Sequence, residues 1–489
     1  MLNFVGHVAV FWLLVYVVDK CMSLPVIARR VRAVYGAAKE AAGISISPCY
    51  IKLYTTRFNW LFAKAEGSRV ARIWFGCGTL FGVLLFFSSV MLLCVALYKG
   101  SVGKDDEQVL TPVMPGLNLP TSDVPYYLTT LIVSALFHEA GHALAAACEM
   151  VRINGWGMFL LLVYPGAYVE LHPDHLALIS AQRQLRIYCA GVWHNLVLAL
   201  CGLAVFFLLP TLLLPFYSRG TGAVVLYLPE DSIFSEQLSP STVISDVNMC
   251  PVFSTDDWFN CVQKQAHAPL TGYCMPTAIL KQYHLYSYAD TAALQEGGRG
   301  CCPDGTQSDL CFHMLSNSPI MNMSTPYLCL AARAVVTRQL CSHPRDCKGP
   351  AACVFPSIPS SSRLIRIRHN SHNRDILYLG EARGLYSTVV LGDYNPRSSY
   401  VPLLLPIIIS TQLLYLVSLS GAFALLNVVP AYALDGQWVT IALVEAWLEP
   451  CIKSQKQRTL FCNCVLFMGT FLLAANVIVS IINLVINNR

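Results

Sequence analysis

The sequence predicts a polytopic α-helical membrane protein with about six transmembrane helices, a membrane-embedded β-hairpin and a luminal, β-rich domain. Three observations predict it. Of 489 residues, 55% are hydrophobic and only 12% charged, whereas soluble domains carry about 25% charged residues. A soluble core of this size could not hide so much apolar surface, which sets aside a large soluble enzyme. Several apolar runs also reach the roughly 20 residues needed to cross a bilayer. Finally, ten of the twenty cysteines fall in one polar stretch, from Cys250 to Cys353.

Residues 2–18 are almost wholly apolar. No basic region precedes them and no small-residue cleavage site follows cleanly, so they read as a retained first span and not as a signal peptide. Residues 19–72 carry ten Lys or Arg against Asp19, Glu40 and Glu66, an excess that marks a cytosolic loop. Residues 1–72 therefore form a first segment and 73–123 a second, made of a span at 73–98 and a short acid-balanced luminal loop. Residues 124–218 form a membrane core with spans at 124–149 and 187–217, the latter ending at Pro210 and Pro215. Between them, Gly155, Gly157, Pro165 and Gly166 break any helix across 153–171. β-formers dominate there, so the stretch reads either as a re-entrant hairpin covered by protein or as an ordinary cytosolic loop. Residues 401–489 return to the membrane with spans at 401–429 and 459–485, and an apolar run at 436–448.

Residues 219–400 are polar by comparison. Runs at 221–229, 243–247, 363–368, 375–380 and 386–391 read as strands, interrupted by a cysteine-rich insertion at about 265–360. An even, clustered set of cysteines outside the membrane suggests disulfides and an oxidising lumen. A second zinc site is the rival reading, although paired C-x-x-C knuckles are missing. The sequon at Asn322 agrees with a luminal, glycosylated segment. A net charge of +5, with no basic block interleaved with aromatics, argues against nucleic acid as a partner. Lipid is the expected surrounding.

The third span carries His138-Glu139-Ala140-Gly141-His142. Residues four apart share one helix face, so both imidazoles can grip one Zn²⁺ with Glu139 beside them as general base. Core histidines with a capping Glu are the plainer alternative. It fits poorly, because ionisable groups in an apolar span are costly unless paired or bound to metal. A catalytic zinc takes a third protein ligand. Glu149 is the local candidate, but Asp435 is the better one: it is the only carboxylate between Asp393 and Glu445 and lies in apolar sequence. A helix-capping role for Asp435 is the alternative.

The HEAGH span, the later Asn427-x-x-Pro430-x-x-x-x-Asp435-Gly436 element and the polar insertion between them resemble the site-2 protease family of intramembrane zinc metalloproteases, the animal members most closely. The resemblance extends from the first span to the last and includes 44–48 (ISISP) and 164–171 (YPGAYVEL). It implies that His138, His142 and Asp435 hold one catalytic Zn²⁺ and that Glu139 is the base. Asn427 and Pro430 match the third-ligand motif, and Gly191 and Asn195 a small-xxx-Asn element beside the site. Asn195, Asn427 and Pro430 are then candidates for holding substrate backbone or oxyanion, with interhelical hydrogen bonding as the alternative for each Asn. The family implies a PDZ-like luminal domain and an embedded β-sheet at 154–170. It implies as substrates membrane-anchored transcription factors already cut on the luminal side, in sterol-response and endoplasmic-reticulum stress signalling, with residence in Golgi and endoplasmic-reticulum membranes. The loop at 99–123 lacks the serine-rich tract of some animal members. A metal transporter or zinc-binding scaffold is the competing function, although transporters usually show repeated spans and none is found.

Overall fold

The computed structural model describes residues 2–25, 27–102, 119–283, 301–302, 309–314, 327–370 and 375–487. The chain divides into two compact units, residues 1–209 with 408–489, and residues 210–407.

The first unit begins with α1 (Leu2–Ser23), α2 (Arg29–Ala41), strands β1 (Ile44–Ser47) and β2 (Tyr50–Thr55), a short α3 (Asn59–Ala63) and the long α4 (Arg69–Val102). It continues with α5 (Val124–Cys148), β3 (Ile153–Leu161), β4 (Tyr164–Leu171), a short α6 (Pro173–Leu178) and α7 (Ala181–Leu213). The second unit, whose longest helix among the described residues is α8 (Thr255–His267), follows. The chain then returns as α9 (Leu405–Asn427), α10 (Asp435–Leu448) and α11 (Gln455–Asn487). Among the described residues, α1, α4, α5, α7, α9 and α11 are long and apolar enough to cross a membrane. The protein is a multi-pass membrane protein. Each helix lies within several residues of an expected span. One boundary moves: Pro210 does not end α7, which runs on to Leu213. Near a helix end a proline removes few backbone bonds, and membrane helices tolerate it where neighbours re-satisfy the carbonyls.

With little hydrophobic drive between helices in lipid, packing and polar contacts hold them together. Gln412 of α9 accepts from Thr129 Oγ1 at 2.9 Å and donates to Thr130 Oγ1 at 2.7 Å. Ser134 and Ser420 share a hydrogen bond of 2.7 Å. Asn476 of α11 donates to the Leu93 carbonyl of α4 at 3.0 Å.

The break at 153–171 is a hairpin, β3 with β4, paired from Leu161↔Tyr164 back to Ile153↔Leu171. It does not stand alone. β1 and β2, inside the stretch read as a plain basic loop, extend it to four antiparallel strands in the order β1-β2-β3-β4. β2 lies along β3 from Tyr50↔Leu161 to Thr55↔Trp156. β3 is therefore internal, and β4 is an edge. Glycine is required at 157, where a Cβ would fall 2.8 Å from the Tyr168 hydroxyl and closer still to the Leu53 carbonyl. Trp12 of α1 donates its indole N–H to the Leu162 carbonyl at the hairpin turn, at 2.9 Å.

Among the described residues the second unit holds two larger sheets and a two-stranded pair, 217–218 with 395–396. The first has the strands 376–380, 363–369, 243–247, 223–227 and 390–392 in that order. α8 covers it, burying Trp258 and Val262 against Val225, Ile244, Ile365 and Ile367. Four of the expected strands are present; the fifth is shorter. Residues 385–388 form a helical turn whose Leu385 is fully buried, and the strand starts at Val390. The cysteine-rich insertion builds the second sheet, strands 327–331, 309–314, 351–356, 272–276 and 340–341 in that order, around Phe312, Leu328, Leu330 and Val354. The ten clustered cysteines form five disulfides: Cys250–Cys261, Cys274–Cys347, Cys301–Cys311, Cys302–Cys329 and Cys341–Cys353. Cys274, Cys341 and Cys347 stand close enough to hold a metal, but all three are engaged in these bridges. Asn322 and most of the 99–123 loop lie outside the described residues.

Peptide mapping of the unreduced protein should recover these five cross-links, with alkylation confined to cysteines outside 250–353. Alkylation of Cys274, Cys341 and Cys347, with more than one zinc per chain, would instead support a second metal site.

Candidate metal and active site

His138 and His142 lie one turn apart on α5 and present both imidazoles from one face. Both are buried. Asp435 begins α10, and Leu434 occupies the cap position, so its carboxylate is not spent on capping. Asp435 Oδ2 lies 2.8 Å from His138 Nε2 and 3.3 Å from His142 Nε2, and the two Nε2 atoms are 3.1 Å apart. A tetrahedral zinc site with arms of about 2.0–2.1 Å has edges of about 3.3 Å. The three atoms thus stand as three corners of such a tetrahedron, and the group could hold a metal ion. Two imidazoles and a carboxylate are a donor set that zinc takes.

The surroundings fit an ion there. A Cβ on Gly191 of α7 would come within 2.6 Å of His138 Nε2, so only glycine leaves that space open. His142 Nδ1 is 2.7 Å from the Ile187 carbonyl, an acceptor, so the ring proton sits on Nδ1 and Nε2 is free to ligate. The same logic applies to His138. Asn195, wholly buried, brings its amide against His138 Nδ1, with Nδ2 at 3.2 Å and Oδ1 left without a partner. Exchanging the two amide atoms by a 180° rotation pairs Oδ1 with the Nδ1 proton that a ligating His138 carries. Glu139 is oriented by the sheet: the Val169 amide of β4 donates to its Oε2 at 3.0 Å.

The segment from Asn427 to Leu434 brings Asp435 to the histidines. Val428 and Val429 are fully buried. Ala433 takes a positive φ of 68°, and its amide donates to Gln437 Oε1 at 3.2 Å. The Tyr432 amide donates to Thr470 Oγ1 of α11 at 3.0 Å. A Cβ on Gly436 would meet the Val428 carbonyl at 2.6 Å, so the segment lies directly against the start of α10.

The structure thus brings His138, His142, Asp435, Glu139, Gly191 and Asn195 into one site. Asn195 reaches it by touching His138. Asn427 ends α9, and its side chain has no hydrogen-bond partner among the described residues. Pro430 is buried, and Gly469 of α11 packs on its carbonyl. Glu149, the alternative third ligand, is engaged by Arg186 and Arg183 at 2.5 and 3.3 Å. The Ile187 carbonyl and the Val169 amide escaped the sequence reading, since backbone partners leave no residue-type signal.

Residues 126–474 match the model of peptidase family M50. The chain belongs to that family. It is a zinc metalloprotease of the site-2 protease type. A similar protein is the "Membrane-bound transcription factor site-2 protease homolog" of Arabidopsis thaliana, 26% identical over 461 residues, which cover 83% of this chain and 87% of the relative.

Asp435→Ala should abolish stoichiometric zinc in the purified protein, and Gly191→Ala should lower it; full zinc content in either variant would contradict the geometry. Asn195→Leu should weaken zinc binding by roughly 10–100-fold, the usual cost of losing such a partner, and Asn195→Asp should restore it. Chelator competition reads both.

Proposed function

We propose that this chain is an intramembrane endopeptidase that cuts membrane-anchored transcription factors inside their transmembrane segment and so releases their cytosolic domains. The observation that carries the reading is the convergence of His138, His142 and Asp435 within 3.3 Å, with both histidines on α5, a helix long and apolar enough to cross the bilayer. The family and the printed name of the Arabidopsis relative support the substrate class. The finer reading follows the resemblance. Substrates arrive already shortened on the luminal side, the signals answer sterol level and endoplasmic-reticulum stress, and the enzyme resides in Golgi and endoplasmic-reticulum membranes. Residues 219–400 are then a luminal, PDZ-like domain, glycosylated at Asn322. The five disulfides support an oxidising compartment for it. Its task is that of a size filter against uncut substrates.

Zn²⁺ bound at the triad would supply Lewis acidity, polarising the scissile carbonyl and bringing the pKa of a water toward about 7. The chain's own groups do the rest. Glu139, held by the Val169 amide, takes the water proton and passes it to the leaving amine. A helical substrate hides its amides in its own hydrogen bonds and has to unwind locally. β4, paired on one side only, can hold the opened segment by strand addition. Asn427, its side chain without a hydrogen-bond partner among the described residues and near the start of the Asp435 loop, is the candidate for meeting substrate backbone, and Pro430 shapes that loop.

Glu139→Gln should keep zinc while lowering cleavage by roughly 10²–10⁴-fold. Undiminished function in that variant would point to a protein that only binds or carries the metal. Deleting 219–400 should let the membrane unit cut substrates that have not received the first cut; continued resistance of the full-length substrate would end the size-filter idea.

A further inference from the structure

The segment between the spans α1 and α4 contains α2, and no residue of α2 is buried. Its sequence nevertheless has two faces. Val31, Val34, Ala38 and Ala41 recur at helical spacing along one stripe. Arg29, Arg32 and Lys39 recur along the opposite one, and Arg30 flanks the apolar stripe. Val31 and Val34 are 46% and 69% exposed, so the described residues leave that stripe uncovered. A helix of 13 residues with no buried face is marginal in water by itself.

The position and the charge of α2 say what covers it. α1 is apolar up to Val18 and turns charged at Asp19 and Lys20, where the hydrocarbon of a bilayer would end. α2 is tied to that level. The Tyr35 hydroxyl donates to Asp19 Oδ1 at 2.9 Å, and the Lys39 ammonium donates to the same oxygen. Within α2, Arg29, Arg30, Arg32 and Lys39 stand against Glu40 alone. Lys39 is engaged by Asp19, and among the described residues no carboxylate pairs with the three arginines. α3 lies on the same side, since no described span separates it from α2. Its Trp60 is 57% exposed, with Lys64 Nζ 4.7 Å from the ring centroid. An exposed tryptophan beside a cation is a usual anchor at a membrane surface.

We propose that α2 lies in the membrane surface as an interfacial anchor, with its valines in the acyl boundary and its arginines over anionic phospholipid headgroups. The inference goes beyond the protease reading and stands without it. The excess of Lys and Arg in 19–72 argues for the cytosolic side, and the cytosolic leaflet is the one that carries anionic lipid. α1 already holds α2 at the surface, so a short helix suffices. Each arginine near an anionic surface strengthens docking by roughly fivefold. α2 leads through Gly43 into β1, the strand at the far edge of the sheet whose β4 holds Glu139. Docking of α2 therefore ties that edge of the sheet to the membrane surface.

The test is hydrogen exchange on the full-length protein in nanodiscs of phosphatidylcholine, with and without phosphatidylserine. Amides of 29–41 should exchange at least about fivefold more slowly in the anionic discs, and high salt should remove the difference. The double variant Arg29→Gln with Arg30→Gln should lose roughly fivefold of that protection per arginine, whereas Arg29→Lys with Arg30→Lys should keep it, because a lipid surface reads charge. Both positions are exposed, so neither change disturbs packing. Val34→Asp should speed exchange of α2 in both kinds of disc. Equal exchange of α2 in the two lipids would overturn the proposal and favour a protein partner for this face. So would an anionic-lipid effect that survives the glutamine variant undiminished, or one that slows α5 amides to the same extent.

Discussion

Everything in the membrane unit answers to one constraint: a carboxylate and two imidazole nitrogens, all electron donors, converge within 3.3 Å of one another among apolar helices. Without a cation that arrangement is unfavourable, because an unpaired charge in low-dielectric surroundings costs several kcal/mol. A divalent ion held there would offset that cost. The ion's place is shaped from several sides. α5 supplies two imidazoles one turn apart, α10 supplies the carboxylate, and α7 approaches closely enough that only a glycine fits at 191.

The ligands are then held in turn. His142 is oriented by the Ile187 carbonyl, and His138 by the Asn195 amide, both from α7. Such outer partners choose the ring tautomer and so decide which nitrogen can bind metal. Placing both on one helix means that a displacement of α7 would disturb both histidines together. Glu139 is held from a different element, β4, through the Val169 amide.

The sheet also explains how irregular backbone is accommodated beside membrane helices. Ladder bonds satisfy the facing amides of the four strands, and the indole of Trp12 takes the carbonyl at the hairpin turn. In the second unit a different device serves. A soluble-type core around Trp258 and a second core around Phe312 are stapled by five disulfides. Cross-links matter most where a chain carries long excursions between short strands, as residues 272–356 do.

The sequence by itself determined the six spans, because crossing a bilayer needs length and apolarity, and both are local properties. It also determined the pairing of the two imidazoles, because helical periodicity alone puts residues 138 and 142 on one face. Asp435 was legible for a related reason: a lone carboxylate in apolar sequence demands a partner. Only the tertiary structure decided who holds those groups. The docking of β2 on β3, the Val169 amide, the Ile187 carbonyl and the glycine-sized gap at 191 are contacts between segments some 30 to 110 residues apart, many made by backbone atoms that every residue carries. Asn195 shows the limit most clearly. Its residue type announced a polar task in the membrane, but whether it faced substrate, another helix or a histidine depended on how α7 turns against α5.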